Sequence, residues 1–347
     1  MGGFWQGSTG EKHQFTAQRP SKKNSCRTRY GKIEIAKSHA FSKPVLGSRT
    51  SPLLQEKLAL LGIENVFKGV PAIVESLLGI AVNESQVYRI TQAVGEAVDK
   101  QALQSPSAAL EAVQRNQEAR VYGMVDGSML FTDEGWQECK VGRVFKADVQ
   151  TGCSPLQWRM EQSEYVAHKG HWREFATRFE ELLPPQSRCE QVFVSDGALW
   201  ISGWLSGWLR DSYPEAVHIL DFFHVLEKLA LAGDADWLGR QKARLLNGEQ
   251  QAVRRAVARS AYREKDKLLA YLKNNACRMN YKEYREKGMM ISSGPIESAH
   301  RTLLQVRMKR SGQRWSEEGC ERMAKLRVAS KSEKPDLISQ IFMNHAA

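Results

Sequence analysis

At 347 residues, 42% hydrophobic and 26% charged, the chain is long enough for two or three domains with true cores and has the composition of a folded, water-soluble protein. No apolar run reaches the roughly 18 residues of a membrane helix, the N-terminus lacks a secretory apolar region, and the six cysteines form no CxxC pair, which argues against a membrane span, a disulfide framework and a zinc ribbon and for a reducing, cytoplasmic setting. The net charge of +11 is concentrated at the ends: +8 over residues 1–50 and +5 over 301–347, leaving the middle at −2. That distribution suits a polyanionic partner with metal-binding acids between the basic ends, or simply basic tails that aid solubility.

In chain order, residues 1–50 are rich in Gly, Ser, Lys and Arg and are expected to be mostly flexible, with one short strand-like stretch, "YGKIEIA". From Ser51 the pattern turns helical. Ser51 suits an N-cap, Pro52 the first helical position and Gly62 a stop. "FKGVPAIVESLLG" and "NESQVYRITQAVGEAV" follow as two amphipathic segments. They fit a helix-turn-helix whose second helix offers Ser85, Gln86, Tyr88 and Arg89 to DNA, or equally a helical hairpin buried in its own domain. Residues 51–112 therefore read as one helical domain.

From Arg120 the texture changes to strands: "RVYGMVD", "QECKVGRVFKAD" and "EYVAHK", the first two forming a hairpin around "TDEG". An amphipathic helix, "HWREFATRFEELL", is stopped by Pro184 and Pro185. "EQVFVSDG" is a fourth strand, "ALWISGWLSGWLRDSYP" a helix in which Trp200, Trp204 and Trp208 read as core, and "AVHILDFF" a fifth strand. The order β-β-β-α-β-α-β predicts an α/β fold: an RNase H-like mixed sheet flanked by helices, over residues 118–228. A charged helical insertion (229–290) is followed by a last helix with Pro295 at its first turn and Gly312 at its end, within a C-terminal segment 291–332, and by a tail, 333–347.

Three acids stand out. Asp126 and Asp196 each close an apolar strand run and each precede Gly, and Glu297 sits in the first turn of the last helix. Asp-Gly is also a common turn former. If the two strands are neighbours, however, both carboxylates emerge at one sheet edge, where ligands gather in such folds. Carboxylates brought together repel, and Mg²⁺ or Mn²⁺ on oxygen ligands removes that cost; two such ions suit phosphodiester displacement.

The blocks "DGSMLFTDEGWQECKVGRVF", "SDGALWI" with "YPEAVHILDFFHVLEKL", and "SGPIESAHRTLLQVRMKRSGQRW" together resemble the DDE transposases of bacterial insertion sequences, of the ISKra type, over roughly residues 51–330. The resemblance implies an RNase H-like catalytic domain with the triad Asp126, Asp196 and Glu297, separated by 70 and 101 residues. It implies two Mg²⁺ (or Mn²⁺) ions, hydrolysis of DNA at transposon ends, and attack of the freed 3′-hydroxyl on target DNA. DNA, as ends and target, and a homo-oligomer that pairs the ends are the implied partners; the setting is the bacterial cytoplasm and nucleoid, with no membrane partner. Relatives of that type commonly begin with a longer segment bearing cysteine pairs, whereas residues 1–50 here hold only Cys26, which implies a shortened or altered front. The competing readings are a catalytically defective remnant that only binds DNA and a structure-specific nuclease on the same fold that cuts without joining.

Secondary features attach to the same frame. Asp221 and His224 lie three apart, as an N-cap with a surface histidine or as support to the site. His300 and Arg301 share the Glu297 side of the last helix with positions 304 and 308, and Ile296, Ala299, Leu303 and Val306 form the opposing apolar stripe. Arg307, Lys309, Arg310, Arg314 and Trp315 mix cations with an aromatic, as a DNA-contacting surface or a solvated basic face. Lys140 reads as a surface lysine near the first acid, or as one pointing at DNA.

Overall fold

The long runs of β-branched and aromatic residues after Arg120 pair into the central sheet of the protein. The computed structural model describes residues 23–28, 31–36, 44–98, 102–103, 105–149, 158–196, 206–332 and 337–343, and the chain divides into two units, residues 1–91 with 342–347 and residues 92–341.

In the first unit, β1 (Lys23–Thr28) and β2 (Gly31–Ala36) form an antiparallel hairpin, so the stretch expected to hold one strand contains a pair. Helix α1 (Pro52–Glu64) is capped by Ser51, whose side chain accepts from the Leu54 amide. Gly62 does not stop it: the helix continues to Glu64. A Cβ at Gly62 would lie 2.3 Å from Thr91 Oγ1, so this glycine serves close helix packing rather than termination. Helix α2 (Val70–Leu78) ends on Gly79 in the left-handed conformation, and α3 (Glu84–Ala97) begins with the Asn83 side chain accepting from the Gln86 amide. The boundary between the units falls within α3.

In the second unit, α4 (Ala108–Arg115) precedes β3 (Arg120–Thr132), β4 (Gly135–Val149) and β5 (Trp158–Lys169). Next come α5 (Trp172–Leu182), β6 (Glu190–Ser195), α6 (Ser206–Ser212) and β7 (Val217–Leu220). The five strands form one sheet in the order β5-β4-β3-β6-β7. β3, β4 and β5 pair antiparallel, while β3–β6 and β6–β7 are parallel. The unit is therefore α/β with a mixed open sheet flanked by helices.

Alternation along β3 sends Val121 and Val125 to one face, where they join Phe175, Phe179, Phe193 and Tyr213 in an apolar core. Gly123 and Gly142 admit those rings: a Cβ on Gly123 would meet Phe193 at 2.6 Å and one on Gly142 would meet Phe179 at 2.7 Å. Trp208 packs against this core and donates to Glu180, whereas Trp200 and Trp204 lie outside the described residues.

Beyond β7, α7 (Phe222–Ala230) leads into the insertion: α8 (Ala235–Leu246), α9 (Gln250–Ala258), α10 (Lys265–Asn274), a 3₁₀ turn (Ala276–Arg278) and α11 (Tyr281–Glu286). The chain then returns to the sheet, where the Met290 amide donates to the Tyr122 hydroxyl and Arg120 donates to the carbonyls of Lys287 and Gly288.

Helix α12 packs on β3 and β4. It is α-helical over Gly294–Ala299, π-helical over His300–Gln305 and α-helical again over Val306–Met308. It ends four residues before Gly312, which turns the chain at φ 73°. The wide π turn rotates the buried face. Ile296, Ala299 and Leu303 dock as expected, but Val306 is exposed, and Leu304, Arg307 and Met308 go inside. Helix α13 (Glu317–Lys331) packs on β5, and α14 (Leu337–Met343) follows.

Candidate active site

Asp126 does not end its strand. β3 continues six residues further, to Thr132. What stops beside Asp126 is the parallel neighbour: the β3–β6 ladder ends at Met124 opposite Val194, and β6 ends at Ser195. Continuing that register by two residues sets Asp126 level with Asp196. The first acid thus sits on a strand held by β4 through the Asp126↔Val141 pair, just where the other side of the sheet opens.

The carboxyl of Asp126 is one-third exposed; Oδ1 accepts from the Gly127 amide at 2.7 Å, and Oδ2 lies 3.4 Å from His300 Nε2. Burial raises its pKa to about 6; the Gly127 hydrogen bond opposes that rise, and the negative charges of Asp196 and Glu297 add to it. Asp126 therefore feels the charge of both other acids. His300 is buried, and burial together with Lys309 holds its pKa down at about 4, so near neutral pH it backs Asp126 as an uncharged imidazole.

Asp196 Oδ2 lies 4.0 Å from His224 Nε2, whose ring Nδ1 lies 3.7 Å from Asp221 Oδ1. The Asp221 carboxylate beside the ring raises His224 to about 9, against the effect of burial, with Asp196 and Glu227 contributing. Asp221 caps α7: Oδ1 accepts from the His224 amide and Oδ2 from the Ser293 amide. Burial pushes this carboxyl up, but those hydrogen bonds outweigh it and leave the pKa below its ordinary value. Asp221 is thus both an N-cap and a tie between α7 and the turn that starts α12.

Glu297 occupies the first turn of α12, where Ser293 Oγ donates to its Oε1 at 3.2 Å. The preceding carbonyl of Pro295 accepts from Arg143 on β4 at 2.9 Å, and Arg143 also donates to Ser163. Ligand atoms of Asp221, His224 and Glu297 lie within 4.8 Å of one another. The sequence pattern pointed to Asp221 and His224 only as helpers, because a buried N-cap carboxylate looks like any capping residue until its second oxygen is seen on another element.

Asp126, Glu297, His300, Arg301 and Lys309 line one cleft of about 710 Å³. Arg301 and Lys309 are exposed on its rim. The rest of the expected basic surface behaves differently. Arg307 is fully buried, with its guanidinium 5.2 Å from the Trp315 ring centre. Trp315 is itself buried; its indole donates to the Met308 carbonyl, and its backbone bonds to Phe131 and Asp133 at the tip of the β3–β4 hairpin. These two residues pin a hairpin and are not a DNA-facing surface. Arg314 is exposed but paired with Asp133 at 2.7 Å, and Arg310 is exposed and donates to the Val306 carbonyl. Lys140 is buried too, bonded to the Gly170 carbonyl and paired with Glu138.

In the first unit, Ser85, Tyr88 and Arg89 are exposed on α3. Gln86 donates to Thr50 Oγ1, and Tyr88 meets the Phe67 ring edge-on at 5.4 Å. Gln86 and Arg89 line a surface cleft with Arg49.

No family model matches the chain. It is similar to a UPF0236 protein in the vanSb 3′ region of Streptococcus gallolyticus, 24% identical over 299 residues, which cover 82% of this chain. The matched region spans 64% of that relative's length, so this chain covers less than two thirds of it. No described helix is long and apolar enough to cross a membrane.

Proposed function

We propose that this chain is a DNA transposase of the DDE type, built on an RNase H-like core, that cuts DNA at the ends of a mobile element and joins the freed 3′-hydroxyl to target DNA. The observation that carries the reading is the convergence of Asp126, Asp196 and Glu297, 70 and 101 residues apart in sequence, at one opening of a mixed sheet, close enough that two of them raise the pKa of the third. Three antiparallel strands followed by two parallel ones support the RNase H-like assignment.

The donor set fits Mg²⁺ or Mn²⁺. It consists of carboxylate oxygens, which hard cations prefer, and a cation would offset both the burial and the neighbouring negative charges that raise the Asp126 carboxyl. Asp126, Asp196 and Glu297 would hold the metal, as a pair of ions. Such ions supply charge stabilisation to the attacking and leaving oxygens of a phosphodiester displacement. The protein's own groups do the rest. Protonated His224 orients Asp196 while Asp221 holds that imidazole, and neutral His300 backs Asp126. Arg301 and Lys309 hold the DNA backbone at the cleft rim. Exposed Ser85, Tyr88 and Arg89, with Gln86, offer a second DNA contact, and a homo-oligomer would bring two DNA ends together.

Purified protein should nick supercoiled plasmid with Mg²⁺ or Mn²⁺ and stop doing so in EDTA. Asp126→Asn, Asp196→Asn and Glu297→Gln should each abolish the nicking. Salt-sensitive DNA binding with no nicking on DNA carrying the element's own ends would favour the non-catalytic remnant.

A further inference from the structure

The helical insertion reaches back to the sheet at the ends of the two strands that lead into Asp196 and Asp221. Arg278, in the 3₁₀ turn after α10, donates through Nη2 to Ser195 Oγ at 2.6 Å, with the Ser195 and Ile219 carbonyls at 3.5 and 3.4 Å. Its Nη1 contacts Asn275 Oδ1 at 3.3 Å, and Asn275 is anchored to the Tyr271 carbonyl. Three residues on, the buried Tyr281 hydroxyl donates to the Leu220 carbonyl at 3.0 Å.

These are not arbitrary acceptors. Ser195 and Leu220 are the last residues of β6 and β7, each one residue before an acid. The Ser195 carbonyl also receives the Asp221 amide at 2.9 Å, so one guanidinium grips the point where both acid-bearing strand ends meet. A planar guanidinium can bridge two strands in this way; an ammonium can serve them only as a point charge. The insertion also has buried apolar side chains of its own, Leu272, Met279 and Met289, so it does not rely on Arg278 for all of its packing. Placing a cation in a desolvated position is costly, and burial depresses the Arg278 pKa. The position is explained if the charge and the fork geometry are needed beside Asp196.

We infer that Arg278, assisted by Tyr281, is a positioning residue for the carboxylate cluster: through the terminal carbonyls of β6 and β7 the insertion sets where Asp196 and Asp221 stand relative to Asp126. This rests on the metal-dependent reading above for its consequence, but not for the clamp itself. The insertion is then a working part of the site rather than an appendage between β7 and α12.

The test uses the full chain as Arg278→Met, Arg278→Lys and Tyr281→Phe. Hydrogen exchange in EDTA reads the clamp, and Mn²⁺ binding followed by the loss of free Mn²⁺ resonance reads its effect on the acids. Arg278→Met should speed exchange about tenfold over residues 217–224, with the β3–β4 hairpin unchanged. It should weaken Mn²⁺ binding about 10- to 100-fold, as loss of outer support does at metal sites. Arg278→Lys should recover part of the charge effect and little of the exchange protection; Tyr281→Phe should show a smaller change of the same kind. Unchanged exchange at residues 217–224, or faster exchange across the whole sheet, would overturn the clamp. Local loosening with undiminished Mn²⁺ affinity would overturn its link to the acids. A wild-type chain that takes up no Mn²⁺ would end the metal reading, while the exchange result would still decide the clamp.

Discussion

Replacing Asp126 by Asn should make the metal-free protein more stable above pH 6 while destroying its proposed activity. The carboxyl moves from an ordinary 3.8 in the unfolded chain to about 6 in the fold. A raised acid pKa means that the native state holds its proton longer. The penalty is therefore absent below pH 3.8, grows as pH rises to about 6, and is constant above. At about 1.4 kcal/mol per pH unit the ionised form costs about 3 kcal/mol, and because the side chain is 35% exposed solvent screening reduces that to about 1–2 kcal/mol. Asn keeps an oxygen for the Gly127 amide, and its own amide can face the neutral His300, so the substitution removes charge without leaving a bond unmade. Urea unfolding in EDTA should show Asp126→Asn more stable by about 1–2 kcal/mol at pH 7.5 and by about 0.5 kcal/mol or less at pH 4. Added Mg²⁺ should stabilise the wild type only. An Asn variant that is no more stable at pH 7.5, or whose gain ignores pH, would refute the reading that the fold penalises the ionised Asp126 carboxylate.

Other substitutions separate buried cations from exposed ones. Arg307→Ala should destabilise by about 2–4 kcal/mol, since it empties a core position under Trp315; thermal melting checks this. Arg301→Ala and Lys309→Ala should leave melting unchanged, and each should reduce the salt dependence of DNA binding by about one counterion if they meet phosphates, as read by fluorescence anisotropy at several salt concentrations. Gly142→Ala should cost about 1–3 kcal/mol, because the new methyl would lie 2.7 Å from the Phe179 ring; a change within 0.5 kcal/mol would mean that the ring relocates freely.

Strand order was legible because each strand is an apolar run closed by turn residues, and the "TDEG" hairpin turns where expected, with Thr132 paired to Gly135. The acids were legible as three carboxylates at element ends, yet the reason for Asp126 was misread. An Asp-Gly pair looks like a terminus, and only the shorter partner β6 reveals that the opening lies beside a continuing strand. Gly62 misled in the same way, since close approach to Thr91 and helix termination call for the same residue. Arg307 and Trp315 misled because a basic, aromatic stretch reads as surface. The π turn at His300–Gln305 that rotates Arg307 inward leaves no trace in a 3.6-residue count. Asp221 and Arg278 reach the neighbourhood of the acids through partners 72 and 83 residues away, Ser293 and Ser195, and no local pattern carries that.

The central claim is that Asp126, Asp196 and Glu297 share divalent cations. Crystals of the full chain soaked in MnCl₂ and measured near the manganese absorption edge test it directly. The account predicts anomalous density within about 2–2.4 Å of oxygens from Asp126, Asp196 and Glu297, the range of hard cations on carboxylates. A peak confined to Asp221, His224 and Glu297, with none touching Asp126, would contradict it.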